Sequence, residues 1–217
     1  MFPLIDRLYR VLSAHYGEQH WWPSKSGVPW EIVAGAILTQ NCAWRNVEMA
    51  LANLTALGVD SPQQVLALPL ATLQETIRPA GFFTQKSAYL RETARFFIEH
   101  ATELAQPCAV ADVYVHRERL LCVKGVGRET ADSILLYAFN HPIFVIDAYT
   151  RRIAARHLGI TSAETLPYDA LQAIFMRNLP ADTRIYNEYH ALIVRLCKDS
   201  CRKNACRCAP LLTSHFF

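Results

Sequence analysis

Four of the seven cysteines in this 217-residue sequence stand close together near its C-terminal end. They are Cys197, Cys201, Cys206 and Cys208. Cysteines clustered in this way, in a sequence without a secretion signal, are typical of metal ligands rather than of disulfide partners. The sequence therefore predicts a metal site at these four positions.

A tight turn at Gly125-Val126-Gly127 lies between two segments with helical character, the second of which begins near Arg128. Because glycine has no Cβ, these positions allow a close approach of another backbone. The start of the second helix offers unpaired N–H groups and a positive dipole end, which suit a phosphate. Val126 can pack between the two helices. An ordinary helical hairpin with a glycine turn is the alternative interpretation.

A single carboxylate, Asp147, follows the apolar run Ile143–Ile146 and stands at the start of the next helical segment. An acidic residue at this position can act as a helix cap. It can also place a negative charge where a reaction needs one. The residue types alone leave both roles open.

Helical periodicity dominates the elements that must position these residues. The spacing of Leu90, Ala94, Phe97, Ala101 and Leu104 predicts one helix, with Thr84 as its N-cap. Further helices are predicted over 30–40, 44–57, 62–68, 71–78, 112–122, 128–139, 148–158, 167–178 and 184–197. Only Ile143–Ile146 resembles a strand, and four residues cannot build a sheet. The sequence therefore predicts an all-α fold.

Composition excludes several classes of protein. Hydrophobic residues make up 52% and charged residues 19%, as in globular proteins, and the formal net charge is +3. This mild positive charge is compatible with a nucleic-acid partner but does not by itself indicate one. We see no apolar run long enough to span a membrane and no signal peptide. A monomeric, cytoplasmic protein is expected, with one large domain or two lobes.

Several motifs occur in the order found in one known family. They are Ala36-Ile-Leu-Thr-Gln-Asn41, Gly81-Phe-Phe-Thr-Gln-Lys-Ser-Ala88, Lys124-Gly-Val-Gly-Arg-Glu-Thr-Ala131, His141-Pro-Ile-Phe-Val-Ile-Asp147 and the cysteine cluster. Together they resemble the helix-hairpin-helix (HhH-GPD) DNA glycosylases of the endonuclease III superfamily, over about residues 20 to 210. His20-Trp-Trp-Pro23 and Leu38-Thr-Gln-Asn41 are most similar to the branch that excises 3-methyladenine.

The resemblance implies a two-lobed fold with the DNA cleft between the lobes. One lobe would be a helical bundle over 30–140 that ends in the hairpin, and the other would combine 1–29 with 141–217. The partner would be double-stranded DNA with a damaged base. The hairpin residues that contact DNA would be Lys124, Gly125, Val126, Gly127 and Arg128. A wedge, Gln40 or Asn41, would fill the gap left by the flipped base. The alternative interpretation is a pair of polar residues that caps the end of a helix.

The resemblance also implies a hydrolase of base excision repair, with Asp147 stabilising the oxocarbenium-like sugar and orienting water. Strand-cutting members have a lysine at position 129 that forms a Schiff base. Glu129 cannot do so, which argues for a monofunctional enzyme without AP lyase activity. A cationic alkylated purine would be held by aromatic faces. The candidates for this base pocket are Trp21, Trp22, Glu129 and Tyr149. The alternative interpretation is that the two tryptophans belong to the core and that Glu129 is only an exposed residue of its helix.

The cysteine spacing departs from that of the family. A [4Fe–4S] cluster is commonly bound there by C-x6-C-x2-C-x5-C, and only Cys201 and Cys208 reproduce an interval, because the next two positions are Leu211 and Phe217. The cluster could use Cys197 and Cys206 instead. A [4Fe–4S] cluster, a zinc ion and no metal at all therefore stay open.

Three other functions compete with this hypothesis. An endonuclease III-like glycosylase would act on oxidised or mispaired bases. A non-catalytic helix-hairpin-helix protein would bind DNA without turnover, although the retention of Asp147 argues against it. A metal-dependent structural or redox protein would bind metal stoichiometrically and have no affinity for DNA.

Overall fold

The computed structural model describes residues 3–24, 26–107 and 110–208, and within these ranges the predicted all-α fold is confirmed. The α-helices are α1 (Pro3–Tyr16), α2 (Pro29–Leu38), α3 (Trp44–Ala56), α4 (Pro62–Ala67), α5 (Leu70–Thr76), α6 (Phe83–Leu104), α7 (Val110–Leu121), α8 (Arg128–Ser133), α9 (Ala148–His157), α10 (Tyr168–Arg177) and α11 (Thr183–Asp199). A 3-10 turn covers Arg78–Ala80, and a π-helical segment, Ile134–Ala138, extends α8. Two short antiparallel strands, β1 (Cys201–Arg202) and β2 (Ala205–Cys206), form a hairpin.

The chain divides into two units. The discontinuous unit consists of the described residues within Met1–Trp22 and Pro142–Phe217, and it contains α1, α9, α10, α11 and the β-hairpin. The continuous unit, Pro23–His141, contains α2 to α8.

Each unit has its own apolar core. In the discontinuous unit α11 packs against α1 and α9, and the rings of Phe144 and Phe175 stack with centroids 4.7 Å apart. In the continuous unit the almost wholly buried α2 packs against α3, α6 and the π-helical segment. Apart from Glu31 in its first turn, α2 is apolar on every side, which is typical of a helix surrounded by other elements.

Local capping signals set several helix boundaries. The Ser61 hydroxyl accepts the N–H of Gln64 at the start of α4, where Pro62 occupies the first position. The Asp182 carboxylate accepts the N–H of Arg184 at the start of α11. The prediction of Thr84 as the cap of α6 is wrong, because the cap position is Phe82 in a left-handed conformation.

Two further features differ from the sequence predictions. Helix α1 was not predicted, although Ile5, Leu8 and Leu12 are buried at helical spacing along it. The strand-like run Ile143–Ile146 is buried but is not a strand, and it pairs with no strand among the described residues.

None of the described helices is both long and apolar enough to cross a membrane.

Candidate active site

Asp147 is the N-cap of α9 in the discontinuous unit. Its backbone is extended, and its Oδ1 accepts the N–H of Thr150 at 2.7 Å. The preceding run, Ile143–Ile146, is buried and so fixes the point at which the chain enters the helix. The Asp147 side chain keeps 13% of its exposure, so that the carboxylate is held in the fold and is still reachable from solvent.

The second carboxylate oxygen of Asp147 faces a buried histidine from α11. The distance from His190 Nε2 to Asp147 Oδ2 is 3.5 Å. Burial raises the pKa of the Asp147 carboxyl, but the charge of His190 and hydrogen bonds from His190 and Thr150 lower it, and the net pKa lies below that of an ordinary aspartate. The arrangement therefore keeps Asp147 ionised.

His190 was not predicted from the sequence. The residue lies on the buried face of α11, beside Tyr189, where its position is indistinguishable from that of an ordinary core residue. No local motif marks it. What the sequence offers is a polar residue among the apolar residues that recur at helical spacing along α11.

Two of the predicted aromatic residues of the base pocket lie in the same unit as Asp147. Trp21 and Trp22 are half-buried, with ring centroids 5.5 Å apart at 64°. The segment before them is held by α11, because the Glu188 carboxylate accepts the N–H groups of Gln19 at 2.8 Å and of His20 at 3.2 Å. Thus α11 supplies both the partner of Asp147 and the anchor of the tryptophan segment.

Tyr149 and Glu129, the other predicted pocket residues, lie in different units. Tyr149 is half-buried on the first turn of α9, with the guanidinium of Arg152 5.5 Å from its ring centroid. Glu129 is exposed on the first turn of α8 in the continuous unit.

The glycine hairpin has the predicted turn, but the group that requires glycine at position 125 differs from the predicted one. Gly125 has φ +93°, and a Cβ placed on it would lie 2.1 Å from Cγ of Tyr89. The close approach is therefore to an aromatic ring and not to another backbone. Gly127 faces open space, and Val126 is buried.

A buried ion pair joins the two helices on either side of the hairpin turn. Arg117 of α7 donates from Nε to Asp132 Oδ1 of α8 at 2.7 Å and from Nη2 to Oδ2 at 3.3 Å. Both side chains are almost fully buried, so the two helices are joined by a bidentate charged contact. Lys124 and Arg128 are exposed at the turn.

The two wedge candidates line a cavity of about 470 Å³ together with the hairpin and Glu129. The Gln40 amide donates to the Gly125 carbonyl at 2.9 Å and to Thr130 Oγ1 at 3.1 Å. Asn41 is exposed and has φ +50°. Gln40 is therefore part of the hairpin's support, whereas Asn41 projects from it.

Phe82 is a second residue that was not predicted from the sequence. The residue is 66% exposed, its φ is +45°, and it lines a smaller cavity with Gln40 and Asn41. An exposed aromatic residue in a strained backbone is unusual and points to a contact surface. The signal in the sequence is the pair of phenylalanines after Gly81.

Lys86 is buried and engaged with main-chain carbonyls. Its Nζ donates to Leu38 at 2.7 Å and to Ala80 at 2.8 Å, which joins the end of α2 to the turn before α6. Burial lowers the pKa of this amine. These contacts give Lys86 a structural role.

Three of the four predicted cysteine ligands lie together, and a histidine joins them. The ligand atoms of His157, Cys201, Cys206 and Cys208 all lie within 4.8 Å of one another. The fourth predicted ligand, Cys197, is not in this group, and its Sγ donates to the Tyr149 carbonyl at 3.8 Å. Burial raises the pKa of the Cys197 thiol to about 12.

Comparisons with known proteins extend over most of the chain. A family model described as "HhH-GPD superfamily base excision DNA repair protein" matches residues 34–180. A protein of Methanocaldococcus jannaschii, provisionally named a DNA repair glycosylase, is 44% identical over 205 residues, covering 94% of this chain and 91% of its own. Endonuclease III of Bacillus subtilis is 26% identical over 187 residues, covering 85% and 80%.

Solved structures show the same fold. The Helicobacter pylori 3-methyladenine DNA glycosylase MagIII, bound to 1,N6-ethenoadenine, has a TM-score of 0.74 and 25% identity, covering 90% of this chain and 97% of its own. An endonuclease III in a non-covalent complex with DNA has a TM-score of 0.78 at 18% identity, covering 98% and 94%.

Proposed function

Because the chain belongs to the HhH-GPD superfamily of base excision DNA repair proteins, we propose that it is a monofunctional DNA glycosylase that removes alkylated purines from double-stranded DNA. The sequence motifs predict this family correctly. The observation that carries the proposal is Asp147, an ionised and still reachable carboxylate held by Thr150 and faced by His190.

Asp147 acts on the sugar of the flipped nucleotide. Cleavage of the N-glycosidic bond builds positive charge on the sugar, and a fixed carboxylate stabilises that charge and orients or deprotonates the attacking water. A carboxylate that stays ionised is suited to this role, because a neutral acid would not stabilise a cation. Its reachable position allows a flipped nucleotide to approach.

DNA binding is assigned to the hairpin and the cavity beside it. Gly127 faces open space, so a phosphate can approach the N–H groups at the start of α8. Lys124 and Arg128 add positive charge at the turn. The wedge is one of the two amides on the cavity wall, Gln40 or Asn41, with Phe82 beside them.

We propose that the protein has no lyase activity, because no lysine among those considered near the hairpin is suited to attack the sugar. Glu129 stands where strand-cutting relatives have the lysine that attacks the sugar, and a carboxylate forms no imine. Lys86 is buried, and its amine donates to two carbonyls. Lys124 belongs to the phosphate-binding turn. None of these residues therefore replaces the missing nucleophile.

The choice of alkylated purines rests on the aromatic residues and on one relative. Trp21, Trp22 and Tyr149 provide faces that stabilise a cationic base. The H. pylori glycosylase with 25% identity binds 1,N6-ethenoadenine, a modified purine. The similarity to endonuclease III of B. subtilis favours a second candidate function, excision of oxidised or mispaired bases.

The test uses methylated duplex DNA. Released base and alkali-labile abasic sites are scored separately from strand breaks that form without alkali, and borohydride trapping is used to detect a Schiff base. We expect released base, alkali-labile sites and neither spontaneous breaks nor a trapped complex. Spontaneous breaks or a trapped complex would contradict the monofunctional assignment, and release only from oxidised or mispaired duplexes would favour the second candidate.

The matched variants are Asp147→Asn and Asp182→Asn. Both positions are helix N-caps, and asparagine retains the capping acceptor. We expect Asp147→Asn to lower base release by about 10²–10⁴-fold with DNA binding almost unchanged, and Asp182→Asn to behave like the wild type. Undiminished release in Asp147→Asn would overturn the assigned mechanism.

A further inference from the structure

We infer that His157, Cys201, Cys206 and Cys208 bind a single tetrahedral zinc ion rather than a [4Fe–4S] cluster. His157 is the last residue of α9, and the three cysteines lie on or directly after the β-hairpin. Their ligand atoms form one compact group within 4.8 Å. Three thiolates and one imidazole are an established ligand set for structural zinc.

The distances among His157, Cys201 and Cys206 match one ion, and the ligand atom of Cys208 lies within 4.8 Å of each of theirs. Zinc binds thiolate sulfur at about 2.3 Å and imidazole nitrogen at about 2.0–2.1 Å, so a tetrahedron has edges of about 3.8 Å between sulfurs and about 3.5 Å between sulfur and nitrogen. Cys201 Sγ and Cys206 Sγ are 3.8 Å apart. His157 Nε2 lies 3.6 Å from the first sulfur and 3.5 Å from the second.

The same distances do not fit an iron–sulfur cubane. In a [4Fe–4S] cluster each thiolate binds a different iron, and the body of the cluster holds the four ligand sulfurs far apart. Ligand atoms that all lie within 4.8 Å of one another leave no room for four irons and four sulfides. Cys197, which a four-cysteine set requires, donates instead to the Tyr149 carbonyl.

The surroundings of the group suit a negatively charged centre. Zn²⁺ with three thiolates and a neutral imidazole carries one net negative charge. Arg156 Nη1 lies 3.6 Å from Cys201 Sγ, and the same guanidinium donates to the Arg202 carbonyl at 2.9 Å and to that of Lys203 at 2.7 Å. A cation is thus fixed beside the thiolates.

The position of the site gives the ion a structural role. Asp147 caps the first turn of α9, and His157 ends the same helix. An ion bound by His157 and the β-hairpin fixes the far end of the helix that carries the carboxylate. The inference is independent of the reaction proposed for Asp147.

The test measures metal content in the full chain purified under anaerobic conditions after growth with both zinc and iron. We expect about one zinc ion per chain, no iron or acid-labile sulfide, and no broad visible absorption. Replacement by Co²⁺ should give the absorption bands of a tetrahedral thiolate site. Iron with sulfide, or a folded protein without any metal, would overturn the inference.

Three variants separate the two ligand sets. His157→Ala and Cys206→Ser should lose stoichiometric zinc, whereas Cys197→Ser should keep it. A four-cysteine cluster predicts the opposite for His157 and Cys197. Because Cys206 is exposed, its replacement by serine leaves the core intact, and circular dichroism verifies that the helices persist.

Discussion

His190 Nε2 lies 3.5 Å from Asp147 Oδ2, while Oδ1 of the same carboxylate accepts the N–H of Thr150. The two oxygens therefore have different partners, one from α11 and one from the first turn of α9. This division fixes the orientation of the carboxylate and keeps it ionised. In the proposed reaction His190 would be a positioning residue, because it contacts Asp147 and would act on the sugar only through that carboxylate.

The first prediction concerns His190→Gln. The pKa of Asp147 lies below its ordinary value, so the carboxylate's contribution to stability is present above the unfolded-state pKa and is lost as the pH falls through the folded-state pKa. Without the charge of His190, the effect of burial on the Asp147 carboxyl outweighs the remaining hydrogen bonds, and the pKa of Asp147 rises. The carboxylate is then protonated at a higher pH than in the wild type. We expect the acidic limb of the pH profile of base release to move to higher pH.

The measurement for His190→Gln is kcat as a function of pH, with DNA affinity measured in parallel. A merely structural role would lower activity at every pH and leave the shape of the profile unchanged. An unchanged profile would therefore contradict the positioning role.

The second prediction concerns the two glycines of the hairpin. Gly125→Ala brings Cβ into the Tyr89 ring at φ +93°, and we expect a loss of about 1–3 kcal/mol in the free energy of unfolding. Gly127→Ala meets open space and should cost about 1 kcal/mol or less. It should instead weaken DNA binding, because the new methyl group occupies the approach of a phosphate.

Urea denaturation and DNA binding of both glycine variants check this prediction. Adding Tyr89→Ala to Gly125→Ala should recover part of the lost stability, since it removes the overlap. Equal stability losses at the two glycines would contradict the account of the turn.

The third prediction separates Gln40 from Asn41. Gln40→Ala removes two hydrogen bonds to the hairpin, and we expect a loss of about 1–3 kcal/mol in the free energy of unfolding. Asn41→Gly keeps the left-handed backbone and should leave stability within about 0.5 kcal/mol. Base release by each variant is then measured on duplex and on single-stranded substrates. The wedge is the residue whose replacement slows base release from the duplex but not from the single strand. Full stability of Gln40→Ala would contradict its role in the hairpin.

The fourth prediction concerns Phe82→Gly. The residue is 66% exposed, and glycine tolerates φ +45°, so the free energy of unfolding should change by about 0.5 kcal/mol or less. An apolar side chain beside the wedge can enter a base step of the duplex. We expect weaker duplex binding and slower base release, with single-stranded substrates unaffected.

The matched control for Phe82→Gly is Leu57→Ala. Leu57 is an exposed apolar residue of the same unit, and it lines neither the hairpin cavity nor the smaller one beside Phe82. Its replacement should leave duplex binding and base release unchanged. A similar effect of both variants would remove the special role of Phe82.

Local signals in the sequence determined most of the helices and several features of the site. Helical spacing of apolar residues predicted most of the fold, and the glycine turn and the start of α9 at Asp147 follow from backbone preferences of a few adjacent residues. Because such features depend only on residues that are close together along the chain, they can be predicted from the sequence. The N-terminal helix carried the same kind of signal and was missed.

Tertiary packing alone decided which distant side chains meet. His190 reaches Asp147 because α11 packs against α9, and Tyr89 covers Gly125 from α6. His157 joins the cysteines in place of Cys197, because the end of α9 lies beside the β-hairpin. These pairs are far apart in the chain and follow from how whole helices bury their apolar faces, which no local spacing of residues specifies.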